Sequence, residues 1–339
     1  MNSRQTEGGR SPQAGRATLA SHQAPAGLGH AEGIPNAENP YYITGPALIS
    51  FSGGRTSAYM LRQILDAHGG QLPEDVHVCF ANTGKEREET LRFVHECGSR
   101  WEVRVRWLEW RSRLKRDADK DRYTEVGFNS ASRNGEPLAA LFASKKTLPN
   151  AVRRFCTGDG KIETLSAFMR AQGYSAWANV VGLRFDEVRR VAKLEAKNEA
   201  GEHSYQSDWP MFRARVTKRD VWKFWLGNNT DPKNPTEPLP QGFDLGLWPY
   251  EGNCDDCFLK GRGILAHQER ERPGTLDWWI EQERQIGGTF VTEFSYADIK
   301  RDVERQPLLV PLDPMELEAD AECGVGGTDH RIKCGRRAA

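Results

Sequence analysis

What the sequence lacks narrows its possible functions first. It has no net charge, with 47 Lys+Arg against 47 Asp+Glu in 339 residues. Nothing in the whole-chain balance therefore drives it toward polyanions or anionic membranes, and partners must be argued from local sites. It has no run of about 18 apolar residues, which argues against a helical membrane span. Its first residues lack the charged-then-apolar order of a secretory signal. A cytoplasmic location without a membrane partner is the expectation. The sequence has no regular cysteine pattern, its seven copies being an odd number at irregular spacing. A disulfide scaffold is thereby disfavoured, leaving free thiols, metal ligands or redox chemistry. There is no internal repeat. What is present, 38 % hydrophobic residues and 33 Gly, suffices for a sizeable core.

Residues Met1 to about Asn39 are rich in Gly, Ala, Ser, Gln and Pro without apolar periodicity. Such a segment buries too little surface to offset its ordering entropy, so residues 1–39 are expected to be a disordered tail. Order is expected from residue 40. Ala47 to Phe51 is a short apolar run that ends in Ser52-Gly53-Gly54-Arg55-Thr56-Ser57 and passes into the helix-like Ala58 to Leu65. Strand candidates Val76–Ala81 and Val103–Leu108 flank a charged helix from about Glu86 to Cys97. A helix from about Lys161 to Gln172 precedes a strand at Trp177–Val181. This alternation predicts an α/β fold, with a doubly wound, mostly parallel sheet covered on both faces. Trp110 to Asn150 breaks the rhythm with charge, Gly and Asn and reads as an insertion near the sheet edge. Thr217 starts a helix with Val221, Trp222, Trp225 and Leu226 as its buried face, and 227–240 reads as a loop. Helices over about Asp256–Glu271 and Thr275–Gln285 predict a main unit over 40–262 and a helical extension over 263–315. A flexible tail is expected over 316–339.

The Ser52 to Ser57 loop lies where a strand hands over to a helix. Paired glycines let the backbone come close there, while unpaired amides and the helix dipole face one point, so an anion is expected. Hydroxyls of Ser52, Thr56 and Ser57 and the Arg55 guanidinium can add donors to phosphate oxygens. The loop is neither a Walker loop nor Gly-x-Gly-x-x-Gly. A plain turn rich in glycine and serine is the alternative.

With its strand and helix, the Ser-Gly-Gly-x-x-Ser loop resembles the PP-loop of adenine nucleotide alpha hydrolases, in their phosphoadenosine phosphosulfate reductase-like branch. Further segments follow in order. Phe80-Ala81-Asn82-Thr83-Gly84 with Glu86, Glu89 and Thr90 is similar to that branch's segment after the second strand, where the adenosine lies close. Gly182-Leu183-Arg184-Phe185-Asp186-Glu187-Val188-Arg189-Arg190 resembles its Gly-x-Arg-x-x-Glu-x-x-Arg signature at the phosphate or sulfate end. Asp208 to Phe212, followed by Thr217 to Trp225, resembles its closing segment. The likeness covers about Ala47 to Arg262. It implies a Rossmann-like fold that binds an adenine nucleotide through Ser50, Ser52, Gly53, Gly54, Arg55, Thr56, Ser57, Asn82, Thr83, Gly84, Gly182, Arg184, Arg189 and Arg190. Arg55 and Arg184 are the expected electrostatic catalysts. Independently of the likeness, Arg184, Arg189 and Arg190 follow a strand end, where open α/β sheets bind ligands; a solvated helix surface is the other reading.

Cys254-Asp255-Asp256-Cys257 is a Cys-x-x-Cys, suited to a metal, a cluster or a redox disulfide. Cys156 follows Arg153 and Arg154 just before a helix, where thiolate is expected to be favoured. Iron-sulfur members of the resembled branch place cysteines in both segments around a [4Fe-4S] cluster, often using a Cys-Cys pair where this chain has Cys156-Thr157. The resemblance therefore implies Cys156, Cys254 and Cys257 as ligands, with zinc as the main rival. Cys79 and Cys97 read as core residues. Glu322-Cys323-Gly324 partly resembles the tail that carries the nucleophilic cysteine of sulfonucleotide reductases, though its His comes late.

Three functions follow. In the first, the loop holds ATP with Mg²⁺, a substrate oxygen attacks the α-phosphate, pyrophosphate leaves, and a small sulfur donor acts through the cysteine centre. In the second, phosphoadenosine or adenosine phosphosulfate (PAPS or APS) is reduced to sulfite, with Cys323 as nucleophile and thioredoxin as electron donor. In the third, the substrate is a nucleic acid, tRNA or DNA, because Arg100 to Arg122 holds nine Lys/Arg against five Asp/Glu, with Trp101, Trp107 and Trp110 among them.

Overall fold

The computed structural model describes residues 39–112, 119–252 and 254–305. The expected tails over 1–39 and 316–339, and Cys323 with them, fall almost wholly outside these residues.

The elements in chain order are β1 (Ala47–Ser50), α1 (Arg55–Ala67), β2 (Val76–Asn82), α2 (Glu88–Arg100), β3 (Val105–Trp110), β4 (Tyr123–Val126), α3 (Glu136–Lys145) and α4 (Phe155–Thr157). They continue with α5 (Thr164–Ala171), β5 (Trp177–Val181), α6 (Val188–Ala200), β6 (Tyr205–Asp208), α7 (Pro210–Arg213), α8 (Lys218–Leu226), α9 (Arg262–Glu271), α10 (Asp277–Ile286) and α11 (Tyr296–Arg305). The strands form one six-stranded sheet in the order β4-β3-β2-β1-β5-β6. All neighbours pair parallel except β4, which runs antiparallel to β3 at the edge. The protein is thus α/β with a mostly parallel sheet.

Alternation along the strands explains why both faces are covered. Ala47, Ile49, Val78, Phe80, Trp107 and Val180 point into one core with Leu61 and Ile64 of α1, Phe93 and Val94 of α2, and Trp225 of α8. Leu48, Cys79, Ala81 and Leu108 point the other way, onto Leu165, Phe168 and Met169 of α5. A third core joins α3 (Leu138, Leu141, Phe142) to Leu265 of α9, Trp279 of α10 and Tyr296 and Ile299 of α11. Part of the expected insertion therefore shares its core with the helical extension.

Several expected boundaries shift. The third strand starts at Val105, not Val103, because Trp101 closes α2 and Val103 N donates back to Gly98 O. The stretch Trp110 to Asn150 contains β4 and α3. The helix expected from Asp256 begins at Arg262, since residues 254–257 form a turn in which Cys257 N donates to Cys254 O. The segment Gly158–Glu163 ahead of α5 is π-helical, a distortion often found at functional sites. At α8 the expected start holds: Thr217 and Asp220 form a capping box. Trp222 is only half-buried. β6 and α11 carried no signal that sequence reading used. No helix among the described residues is long and apolar enough to cross a membrane.

Candidate functional site: a glycine loop beside a cysteine turn

β1 lies between β2 and β5. The chain leaves β1 toward β2 on one face, and it reaches β5 after α5 has covered the other, so the crossovers diverge at the β1–β5 pair. Crevices at such a divergence are where open α/β sheets bind ligands. The Ser52–Ser57 loop occupies the carboxyl end of β1, and Gly182 to Glu187 that of β5.

The two loops touch. A Cβ on Gly182 would lie 3.3 Å from Ser57 Cα, so a glycine is what permits this approach. Gly53 adopts φ +78°, and a Cβ there would meet Thr90 Cγ2 at 2.7 Å; only glycine fits. Gly54 is different, an extended N-cap (φ −97°) whose added Cβ would meet only Ser52 Oγ, at 3.8 Å. No side chain caps α1, leaving its first amides without a side-chain acceptor. Ser57 Oγ donates to Gly54 O at 3.0 Å, accepts from Ser52 N at 3.2 Å and lies 3.0 Å from Ser52 Oγ. Ser50 Oγ donates to Asn179 Oδ1 of β5 at 2.9 Å.

Arg55 does not face this loop's open side. Its guanidinium is buried, with Nε 2.7 Å from Asp244 Oδ1, Nη2 2.5 Å from Asp244 Oδ2 and Nη1 2.7 Å from Leu247 O. The Trp222 ring packs 5.1 Å from it. The expected phosphate donor is instead an anchor, because a carboxylate 189 residues away in sequence claims its fork. Arg184 reaches the loop: Nη1 lies 3.4 Å from Thr56 Oγ1 while Nε is 3.0 Å from Asp186 Oδ1. Glu187 accepts from Arg184 N and pairs with Arg190. Arg189 is exposed, with no ion pair among the described residues.

At the end of β2, Asn82, Thr83 and Gly84 form a fixed turn. Asn82 Nδ2 donates to Glu109 Oε1 at 2.6 Å and to Ser132 O at 2.9 Å. Thr83 donates from N and Oγ1 to Glu86 Oε2 at 2.8 and 2.7 Å. Gly84 (φ +75°) receives Gly135, whose amide donates to Gly84 O.

This turn also meets the cysteines. Cys254 Sγ lies 3.5 Å from Thr83 Oγ1 and 3.9 Å from Glu86 Oε1, and the backbones of Glu86 and Cys254 form an isolated β-bridge. Lys161 Nζ is 3.2 Å from the same Glu86 Oε1. Burial raises the Cys156 thiol, and the neighbouring Cys254 raises it further, against the opposing pull of Lys161 and Arg154. Thiolate is therefore not favoured at Cys156 as expected. Burial and then Cys254 push Cys257 up to about 12. Burial would lower Lys161, but Cys254 and Glu86 outweigh it and raise its pKa. The three sequence-predicted cysteines thus sit within electrostatic reach of one another. Among the described residues no group of three or more His, Cys, Asp or Glu is placed to hold a metal ion. Partly buried thiols are donors that suit a cysteine-held cluster or a zinc ion alike. Cys79 and Cys97 lie in the cores.

The helical layer clamps the cysteine turn. Asp255 takes Arg272 Nη2 and Nη1 at 2.7 and 2.8 Å and donates its amide to Lys85 O, while Tyr296 Oη donates to Asp256 O at 2.6 Å. A cavity of about 320 Å³ opens beside the turn, lined by Lys85, Glu86, Arg87, Glu88, Glu89, Arg133, Asp255 and Arg272. Sequence reasoning missed Asp244, Lys161 and Arg272, since none belongs to a spaced motif.

The basic and aromatic patch over 100–122 dissolves where described. Trp107 is buried edge-on to Phe80, and Trp101 packs by Trp225 and Phe243. Trp110 packs against the third core. Arg104 and Arg106 pair with Glu125. Trp107 is thus buried, and Trp101 and Trp110 are half-buried against the cores.

Fold and site together define an α/β protein with a glycine loop at the sheet's divergence point and a cysteine turn against the end of β2. No protein-family model matches the chain. Among curated proteins it is similar to the uncharacterized nin region protein ORF290 of Escherichia phage lambda, at 26% identity over 220 residues, 63% of this chain and 66% of the phage protein. The match therefore spans just under two thirds of that relative, whose name states no activity.

Proposed function

We propose that the chain is a PP-loop enzyme of the phosphoadenosine phosphosulfate reductase-like family, with a Rossmann-like, adenine nucleotide alpha hydrolase fold. It binds ATP at Ser52–Ser57, cleaves it to AMP and pyrophosphate, and couples this to sulfur chemistry at Cys156, Cys254 and Cys257. The observation that carries the reading is the contact of Cys254 Sγ with Thr83 Oγ1, which joins the cysteine turn to the segment where the resembled family keeps adenosine. The amides of the uncapped α1 terminus, with Ser52 and Thr56, receive phosphate oxygens. Arg184 leaves Asp186 for the phosphates and stabilises charge as pyrophosphate departs, with Mg²⁺ balancing the rest. Arg55 holds the loop through Asp244 and does not touch phosphate. A [4Fe-4S] cluster on the three cysteines would supply an open iron for a sulfur species from a small donor.

Reduction of PAPS or APS with thioredoxin is the second reading. It requires Cys323, outside the described residues, and the intact Ser-Gly-Gly-x-x-Ser loop favours ATP over it. The test is anaerobic purification of wild type and Cys254→Ser, with visible spectra, iron, sulfide and zinc analysis, and titration with ATP and PAPS. About four irons per chain, lost in the variant, together with ATP binding, supports the proposal. Stoichiometric zinc without iron makes the cysteines structural, and PAPS binding without ATP binding selects the reductase.

A further inference from the structure

From Pro137 to Gly158 the chain has no Asp or Glu, yet it holds four cations, Lys145, Lys146, Arg153 and Arg154. All four are exposed. Lys145 is paired with Asp159. The side chains of Lys146, Arg153 and Arg154 make no ion pair or hydrogen bond among the described residues. The turn that carries them is built. Asn150 Oδ1 accepts from Val152 N at 3.0 Å and Arg153 N at 2.8 Å, over the buried Leu148 and Pro149. Val152, 86% exposed, stands at its tip. Arg154 lies two residues before Cys156, a path of at most about 7 Å. Because α5 runs back to the start of β5, Cys156 and this turn lie at the carboxyl edge of the sheet, the edge that carries the glycine loop.

We propose that this turn, Lys146 to Arg154, is a nucleic-acid contact that lays a phosphate backbone beside Cys156, making a nucleic-acid strand the partner presented to the cysteine centre. Planar guanidiniums without carboxylate partners match phosphate oxygens bidentately. One exposed valine is too little apolar surface to anchor a protein partner, whose interfaces rely on buried aromatic clusters. After β5, exposed Arg189 near the exposed Phe185 and Val188 is a further guanidinium without an ion pair among the described residues. The proposal rests on the reading of Cys156 as part of the working site.

The test is fluorescence anisotropy of the full chain with labelled single-stranded DNA and RNA of one sequence, between about 50 and about 200 mM salt, with ATP titrated in parallel. Wild type is compared with Arg153→Glu/Arg154→Glu and with the milder Arg153→Gln/Arg154→Gln. Affinity is expected to fall at least tenfold in the charge reversal and less in the milder pair. The log–log salt slope should shrink by about 1.4, for two phosphates at about 0.7 each, while ATP affinity stays unchanged. Equal affinity in wild type and both variants overturns the contact. So does an absence of binding at low salt while ATP still binds, or equally tight binding of polyglutamate, which would mark an acidic peptide partner. If wild type binds the strands and not ATP, the nucleotide reading fails and the contact stands.

Discussion

Replacing Arg55 separates two roles that sequence alone assigns to it equally well. Its guanidinium and the Asp244 carboxylate are 7% and 3% exposed, so truncation to Ala leaves a buried carboxylate without its partner. Removing one member of a buried pair costs roughly 3 to 5 kcal/mol, and the lost packing on Trp222 adds to it. At about 2 to 4 °C per kcal/mol for a chain of this size, the melting temperature should fall by about 10 °C. The double replacement Arg55→Met/Asp244→Leu removes both charges and should recover most of that loss, because apolar isosteres often match a buried pair. Thermal and urea unfolding of the two single variants and the double variant give the coupling energy. A loss under about 1 kcal/mol in Arg55→Ala, together with greatly weakened ATP binding, would refute the anchor role and return Arg55 to the phosphates.

Other outcomes follow from the same geometry. Gly53→Ala should be markedly less stable than Gly54→Ala, since only Gly53 combines φ +78° with a Cβ clash at 2.7 Å; equal melting temperatures would contradict the loop conformation. Burial, and then the Asp255 charge, raise Asp256 to about 6. The protonated carboxyl therefore favours the folded state, and that contribution, about 3 kcal/mol at most, is lost as pH rises from about 4 to about 6. Asp256→Asn, which tolerates the φ of +51°, should melt higher than wild type at neutral pH, with the gap closing near pH 4; a gap independent of pH argues against it. Burial raises the Cys79 and Cys97 thiols, so native-state alkylation read by mass spectrometry should spare both, and labelling as fast as at Cys254 would contradict their burial.

The β1–loop–α1 unit and β5 were legible because apolar runs, paired glycines and helix periodicity agreed there. Trp177–Val181 is observed as read. β4 and β6 were not, being four-residue edge strands with polar alternation. α11 hides its apolar face in a charged sequence, with Tyr296 and Ile299 buried. At the site, the residue types were readable and their partners were not. Arg55 looked like a phosphate donor because Asp244 meets it only in the folded chain. The tryptophans after Arg100 looked like a stacking surface because core and surface aromatics are alike in sequence. The convergence of Cys156 with Cys254 and Cys257 was expected only through a family likeness, and the contact of Cys254 with Thr83 lay beyond it.

The glycine loop is tested most directly by calorimetric titration of ATP into wild type and Gly54→Asp. The space beside Gly54 is open, so the variant should keep its melting temperature, while the added carboxylate and Cβ occupy the anion position. The expected result is ATP binding by wild type and its loss by at least about a hundredfold, near 3 kcal/mol, in the variant. Unchanged affinity in Gly54→Asp, or no binding of ATP by wild type, would contradict nucleotide binding at this loop.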